Sequence, residues 1–471
     1  MYKAYVTELK NVRKHPNADR LLLGDCFGNT VCVSTDYQEG QVGVYFPTDG
    51  QLSVEFAETN NLLRKKDENG NNIGGYMDPD KRNVTAIRLR GEKSDGLFMP
   101  LDCLDYCFDD GAATHLKVGD IIDVVNGHEI CCKYIPRRKS RNSATNSGNR
   151  TRKKKVNIAP LFVEHADTEQ LAYNLSAFKP GDEIEITLKM HGTSQRTGYL
   201  PKFKGYKKTL LDKILRREGT PIYEWDYVSG TRRVVLDDYE GGYYGSNEFR
   251  QRHHEAFYGK LNKGETVYYE VVGFTHTGVP IMGNGKNDKV GKDFVKQYGK
   301  ETVFSYGCEP TSKPAVIYAP GMVEVSAAIP QSDMYVYRMT MTNEDGFVVE
   351  YTPDFMRYRC EQMGVKCVPV FWKGTVDEFS NRQVGDEMVY SQTAGETAKN
   401  IAERFYAGPD PIGKTHTREG VVVRILNRPK FCAYKHKNFE FKVLEGIIKD
   451  TASAPDMEEA QDTVQIDEVM E

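Results

Sequence analysis

Between Asp182 and Ser194 the chain reads Asp-Glu-Ile-Glu-Ile-Thr-Leu-Lys-Met-His-Gly-Thr-Ser. Ile184, Ile186 and Leu188 alternate with Glu183, Glu185 and Thr187, a period of two that specifies a half-buried strand. The strand ends on Lys189, and Gly192, three residues on, lets the chain turn with no Cβ in the way. A lysine carried from a strand end into a glycine-relieved loop suits an amine nucleophile. Such an amine must be neutral to attack, a state favoured by burial and by nearby cations.

The chain has 471 residues, room for two to four domains and an ample core. Its formal net charge of −4 gives no global signal for nucleic acid, but the charge is unevenly spread. No run approaches the roughly 18 apolar residues of a membrane span, and Met1-Tyr-Lys-Ala-Tyr-Val lacks a signal-peptide layout. Ten cysteines in a chain of this length do not make a disulfide scaffold. Cys103-x-x-x-Cys107 and Cys131-Cys132 lack the paired spacing of a zinc site. The expectation is a cytoplasmic protein with reduced thiols and no membrane segment.

Residues 1–130 read as short strands with glycine turns, among them Val31-Cys-Val-Ser, Gly43-Val-Tyr-Phe and Ala86-Ile-Arg-Leu-Arg, the pattern of a small β-barrel. From Lys133 to Lys155 there are ten Lys/Arg and no acid, so residues 131–157 read as a basic, disordered linker that attracts phosphates. In the segment Thr209–Arg217, Leu210, Leu211, Ile214 and Leu215 share one face of a predicted helix. Seven basic residues between Lys202 and Arg217 make this stretch a candidate RNA contact. From Asp450 to Glu471 there are eight acids and no base, which predicts a disordered tail.

Lys189-Met-His-Gly-Thr-Ser resembles motif I, Lys-x-x-Gly, of the covalent nucleotidyltransferases, the polynucleotide ligases and mRNA capping enzymes, and its spelling is most similar to the RNA ligases. Lys-x-x-Gly also occurs at Lys202 and Lys296, and Lys93-Ser-Asp-Gly fits a DNA-ligase spelling, but a turn-like Arg90-Gly-Glu precedes Lys93 where an alternating strand is needed. Further motifs follow in the family's order. Val228-Ser-Gly-Thr-Arg-Arg-Val-Val resembles the arginine-bearing motif, with Arg232 first and Arg233 the alternative. Thr266-Val-Tyr-Tyr-Glu-Val-Val-Gly, carrying Glu270, resembles motif III. Asp333-Met-Tyr-Val-Tyr-Arg-Met-Thr resembles motif IIIa, with Tyr337 before Tyr335 as the purine-stacking aromatic and Arg338 where the family has an acid. Arg418-Glu-Gly-Val-Val-Val-Arg resembles motif IV, and Tyr434-Lys-His-Lys-Asn-Phe-Glu-Phe resembles motif V, with Lys435 and Lys437 on one side of a strand by period two.

The resemblance covers residues 160–447. It implies that Lys189 is the catalytic nucleophile, that Glu419 is the metal ligand, and that Glu270 holds the ribose. It also implies that Lys435 and Lys437 meet the α-phosphate, and that His191, Gly192, Ser194, Arg232 and Tyr337 complete the nucleotide site. Ser194 stands where many RNA ligases carry Asn, and Leu188 where many carry an acid. His15-Pro-Asn-Ala-Asp-Arg-Leu and Arg88-Leu-Arg-Gly-Glu-Lys-Ser-Asp-Gly resemble OB-fold tRNA-binding modules, which places Lys93 in a loop of that module. The expected fold class is α+β: an N-terminal OB-like β-barrel at 1–130, the linker at 131–157, an adenylyltransferase (ATP-grasp-like ligase) domain of antiparallel sheets flanked by helices at 158–449, and the tail at 450–471. No barrel fits after motif V, which favours the RNA-ligase branch. The implied activity is ATP-dependent joining of RNA 3′-OH and 5′-phosphate ends in RNA repair, through lysyl-AMP, with Mg²⁺ or Mn²⁺. A GTP-dependent capping-type guanylyltransferase and a non-catalytic RNA-binding protein are the alternatives. RNA, as tRNA or a nicked duplex, is the expected partner, with no obligate protein partner.

Overall fold

The computed structural model describes residues 2–135 and 156–450, apart from positions 67, 71, 167, 216, 218, 237, 238, 240–243, 245, 312, 320, 321, 378–382, 385, 386 and 389–391. Most of the expected basic linker and the acidic tail from 451 lie outside the described residues. The chain divides into two compact units. One comprises 1–138, 285–301 and 438–455, and the other comprises 139–284, 302–437 and 456–471.

The second unit holds the Lys189 strand. Its first sheet runs β1 (Glu169–Gln170), β9 (Ala433–Lys437), β8 (Gly420–Ile425), β2 (Asp182–Lys189) and β7 (Val370–Val376), antiparallel except where β1 meets β9. Ile184 and Ile186 on β2 pack with Val421, Val423 and Ile425 on β8. Helix α3 (Ala394–Glu403) closes that core with Ala394, Ala398 and Ala402, small residues four apart that let the backbone approach the sheet. Thr393 and Glu396 form a reciprocal capping box that fixes where α3 starts. The opposite side of β2 carries Glu185, Thr187 and Lys189.

The second sheet is antiparallel over β4 (Thr220–Gly230), β3 (Thr193–Lys207), β5 (Glu265–Gly273) and β6 (Ser332–Thr342), with Val235–Leu236 and Val348–Glu350 at its ends and Lys366–Cys367 joining β6 in parallel. Every residue of β5 is buried, so this strand is covered on both faces and shows no alternation in sequence. Helix α1 (Glu248–Glu255) buries Phe249, Arg250, His253 and His254. Arg250 reaches the Ser194 carbonyl at 3.0 Å, and His254 meets Thr197 Oγ1 at 3.0 Å. The predicted helix after Lys208 is present over Leu210–Ile214, capped by Thr209 and Asp212. Its apolar face is not covered: Leu210, Leu211 and Ile214 are 68–79% exposed.

In the first unit the strands form separate small sheets, and no single closed barrel is found among the described residues. A four-stranded sheet orders Leu97–Pro100, Val42–Phe46, Ala4–Glu8 and Ile121–Ile122, and a three-stranded one orders Lys10–Lys14, Leu22–Cys26 and Asn29–Val33. Cys131–Lys133, placed in the linker by sequence, is a strand paired with Gly50–Leu52. Val44, Phe46, Leu52, Phe56 and Leu104 form the core. Lys93 lies on a strand here (Glu92–Asp95), 3.4 Å from Glu440, and not in a loop. Helix α4 (Phe439–Asp450), which directly follows the motif V strand in sequence, belongs to this unit. Lys442 pairs with Asp95 at 2.7 Å, Glu440 with Arg88 at 3.0 Å, and Lys449 with Asp49. Among the described residues no helix is long and apolar enough to cross a membrane, and all ten cysteines are free.

Candidate active site

Strand register brings the first groups together. Lys189, the last residue of β2, lies opposite Gly420, the first of β8, and Gly420 lies opposite Lys437, the last of β9. Glu419 precedes Gly420 and is 2% exposed. Its Oε1 accepts Lys189 Nζ at 2.7 Å and Lys437 Nζ at 3.2 Å, while His191 Nδ1 stands 3.7 Å from Oε2. Removing a carboxylate and two ammonium groups from water gains little stability. Such concentrations of buried charge mark functional sites more than cores.

The loop after Lys189 is held from two sides. The Gly192 N–H donates to Glu270 Oε1 at 3.1 Å, and the His191 N–H donates to the Tyr306 hydroxyl at 2.6 Å. A Cβ on Gly192 would stand 2.5 Å from the Val271 carbonyl oxygen, so glycine answers a lack of room at this point. Glu270 is directly opposite Ser194 in the β3–β5 ladder.

A cavity within this unit is lined by side chains of both sheets. Of the residues expected from sequence, Lys189, Ser194, Arg232, Glu270, Tyr337 and Lys435 line it. Glu419, Lys437 and His191 join through the ion-pair cluster on Lys189, and Gly192 joins through Glu270. On β9, Ala433 and Lys435 face the cavity, whereas Tyr434 packs on Phe178 and His436 stacks on Tyr406, as the period of two requires. Of the two tyrosines on β6, Tyr337 lines the cavity and meets Ser194 Oγ at 2.9 Å, while Tyr335 is buried against Asp333 and Lys366. A bulge opposite Tyr268 and Tyr269 breaks the alternation of β6 at this point. Arg232 lines the cavity, and the carbonyl of Arg233 instead accepts from buried Arg196.

Arg338, at the position where the resemblance leads one to expect an acid, is held by Glu350 at 3.0 and 3.1 Å from its Nε. It also lies 4.8 Å from the Phe431 ring centroid and 3.2 Å from His165 Nδ1. His165 faces Tyr337 edge to face at 5.0 Å and Phe431 at 5.5 Å. Burial first, then the guanidinium groups of Arg338, Arg232 and Arg196, hold the His165 pKa well below its usual value, so this ring is neutral near pH 7. Glu185, on the polar side of the alternation, is buried, lines the cavity and pairs with Arg357 at 2.8 Å. Arg424 lines the cavity and stands over Phe431 at 5.0 Å. Glu185 carried a signal, since it shares strand parity with Lys189, whereas Arg424 shares parity with no site residue singled out in the sequence. His165, Phe431 and Tyr306 lie in loops, where no periodicity applies.

The cavity therefore joins an aromatic and arginine-rich wall to a lysine–glutamate–lysine cluster. It can hold a planar ring against Tyr337, and it can present ammonium groups to an anion at Lys189, Lys435 and Lys437.

No family model and no curated protein matches this sequence. Solved structures do match. A lysine-to-alanine mutant of Naegleria gruberi RNA ligase with ATP and Mn aligns over 93% of this chain and 98% of that chain, at 16% identity and a TM-score of 0.52. A glutamate-to-alanine mutant of the same ligase with AMP and Mn aligns over 93% and 97%, again at 16% identity and a TM-score of 0.52. At that identity the likeness is one of fold, and the fold of this chain is that of Naegleria gruberi RNA ligase along nearly its whole length.

Proposed function

We propose that this protein is an ATP-dependent RNA ligase that works through a lysyl-AMP intermediate. The observation that carries the reading is the Lys189–Glu419–Lys437 cluster beside a cavity faced by Tyr337, Glu270 and Lys435. The fold is shared with a ligase solved with ATP, AMP and Mn, which supports the choice of nucleotide and of a divalent cation.

In the first step the Lys189 ammonium loses a proton to solvent, and the neutral amine attacks the α-phosphorus of ATP. A P–N bond forms, the bond to the β-phosphate bridging oxygen breaks, and pyrophosphate leaves. In the second step an oxygen of an RNA 5′-phosphate attacks the same phosphorus, and the bond to Lys189 breaks. In the third, a 3′-hydroxyl attacks the 5′-phosphorus and AMP leaves. Charge spreads over phosphoryl oxygens throughout, so positioned cations do most of the work. Lys435 and Lys437 supply them, Tyr337 offers a π-face to adenine, and Glu270 and Ser194 face the sugar. Glu419, 2.7 Å from Nζ, holds the Lys189 ammonium in place until it loses its proton.

Among the described residues no cluster of three or more His, Cys, Asp or Glu forms a metal cage. Glu419 offers one buried carboxylate, which fits magnesium or manganese holding mostly water and phosphate oxygen. Bound there, the ion would neutralise charge on the phosphates. The unit formed by 1–138, 285–301 and 438–455 is read as the nucleic-acid-binding part, with RNA as partner.

Incubation with α-labelled ATP and Mg²⁺ tests the reading. Label is expected on the wild type and absent from Lys189→Ala. No adduct, or one that survives Lys189→Ala, refutes it, and labelling by GTP in place of ATP selects a guanylyltransferase.

A further inference from the structure

Tyr306 is a large residue in a conformation that large residues avoid. Its φ is +48°, in the left-handed region, and the next residue, Gly307, continues there at +76°. Such a backbone persists only where its surroundings hold it. Tyr306 is 2% exposed, and burial, before the nearby Asp410 carboxylate, pushes the phenol pKa well above its usual value, so the hydroxyl keeps its proton.

Its contacts go to two loops at once. The hydroxyl accepts the His191 N–H at 2.6 Å, in the loop that follows Lys189. The ring packs edge to face on His416 at 4.5 Å, three residues before Glu419. Phe304 repeats the pattern, with His191 at 4.6 Å and His416 at 5.2 Å. The second loop is itself stiff. Asp410 Oδ1 accepts the N–H groups of Ile412 and Gly413, and the Asp410 N–H donates to the His416 carbonyl at 2.8 Å. Gly413 lies so close that a Cβ there would stand 2.8 Å from the Gly307 nitrogen. One buried side chain thus spans the loop that delivers Lys189 and the loop that delivers Glu419, and those two residues meet at 2.7 Å.

We infer that Tyr306 is a positioning residue for lysine adenylylation: its hydroxyl fixes the Lys189–Gly192 loop against the loop leading into Glu419, so that Lys189 is aimed before ATP arrives. This rests on the ligase reading above. The hydroxyl bonds the His191 N–H in the loop that carries Lys189, so its effect belongs to the step in which Lys189 is the nucleophile. It does not extend to the step in which a 3′-hydroxyl attacks an already activated end.

The test is Tyr306→Phe, which keeps the ring and removes the acceptor, in the full chain. Two rates are read, lysyl-AMP formation from ATP and sealing of RNA supplied already 5′-adenylylated. The buried His191 N–H loses its partner, so the first rate is expected to fall about tenfold or more, with KM for ATP within about twofold because the cavity itself is intact. Sealing of the pre-adenylylated RNA is expected to stay near the wild-type rate. An unchanged first rate overturns the inference, and so does an equal fall in both rates, which marks general damage to the fold. If the wild type itself forms no adduct with ATP, the ligase reading fails, an outcome separate from either result on the variant.

Discussion

At Gly420 the constraint is space. A Cβ there would lie 2.1 Å from the His436 carbonyl oxygen and 2.7 Å from Lys437 Cα, so β8 and β9 approach more closely than any side chain permits. Gly420→Ala must part the strands beside both Glu419 and Lys437. We expect lysyl-AMP formation to fall by about tenfold or more, since misplacement by about 1 Å is enough for a loss of that order, and a wild-type rate in the labelling assay would contradict this. The same residues show what a sequence reading reaches. Lys189, Glu419, Lys435 and Lys437 were legible through their motif resemblance, and strand period supported the placing of Lys189, Lys435 and Lys437. Glu185 was not singled out, because alternation tells two faces apart but does not say that the second face lines a cavity. Tyr306, Phe431 and His165 come to the site through loop geometry and long-range packing, which a local pattern does not encode.

At the level of elements, helix α1 is a pH-sensitive part. Burial pushes both His253 and His254 down to about 4 from 6.5. His253 meets Ser332 Oγ at 2.9 Å and His254 meets Thr197 Oγ1 at 3.0 Å, so the helix is pinned to β6 and β3 by neutral rings. Between pH 6.5 and 4 the unfolded chain takes up protons that the folded chain refuses, so stability is full above the unfolded value and declines as pH falls through this window. Each proton contributes a slope of about 1.4 kcal/mol per pH unit. Chemical denaturation at steps from pH 7 to pH 4 should therefore show a steeper loss for the wild type than for His254→Asn, by about one proton. Equal slopes would show that His254 is charged in the folded state. Elements were partly legible too. The strand at 182–189 and the capped helix after Thr209 were expected from pattern and are present, although that helix turns its leucines to solvent. The bulge in β6 was not legible, and it decides between Tyr335 and Tyr337, because an inserted residue reverses parity without leaving a mark in composition.

For the whole molecule, sequence order and spatial grouping diverge. The short strands of the first 130 residues were visible from turn spacing, but the membership of 285–301 and 438–455 in the same unit was not, because it depends on contacts between segments far apart in the chain. Arg88 donates to Glu440, Lys442 to Asp95 and Lys449 to Asp49, and a Cβ on Gly285 would lie 2.2 Å from Leu444 Cδ1. The consequence concerns what a cut does. A backbone cut introduced between 138 and 155, at an engineered protease site, would leave these bonds intact, and they join the N-terminal piece to residues on the other piece. We expect the two fragments to travel together through gel filtration and to part only in denaturant, whereas separate elution of the nicked halves under native conditions would contradict the interlacing. A chain laced in this way would keep its ends together after a cut that ordinary domain linkers do not survive intact.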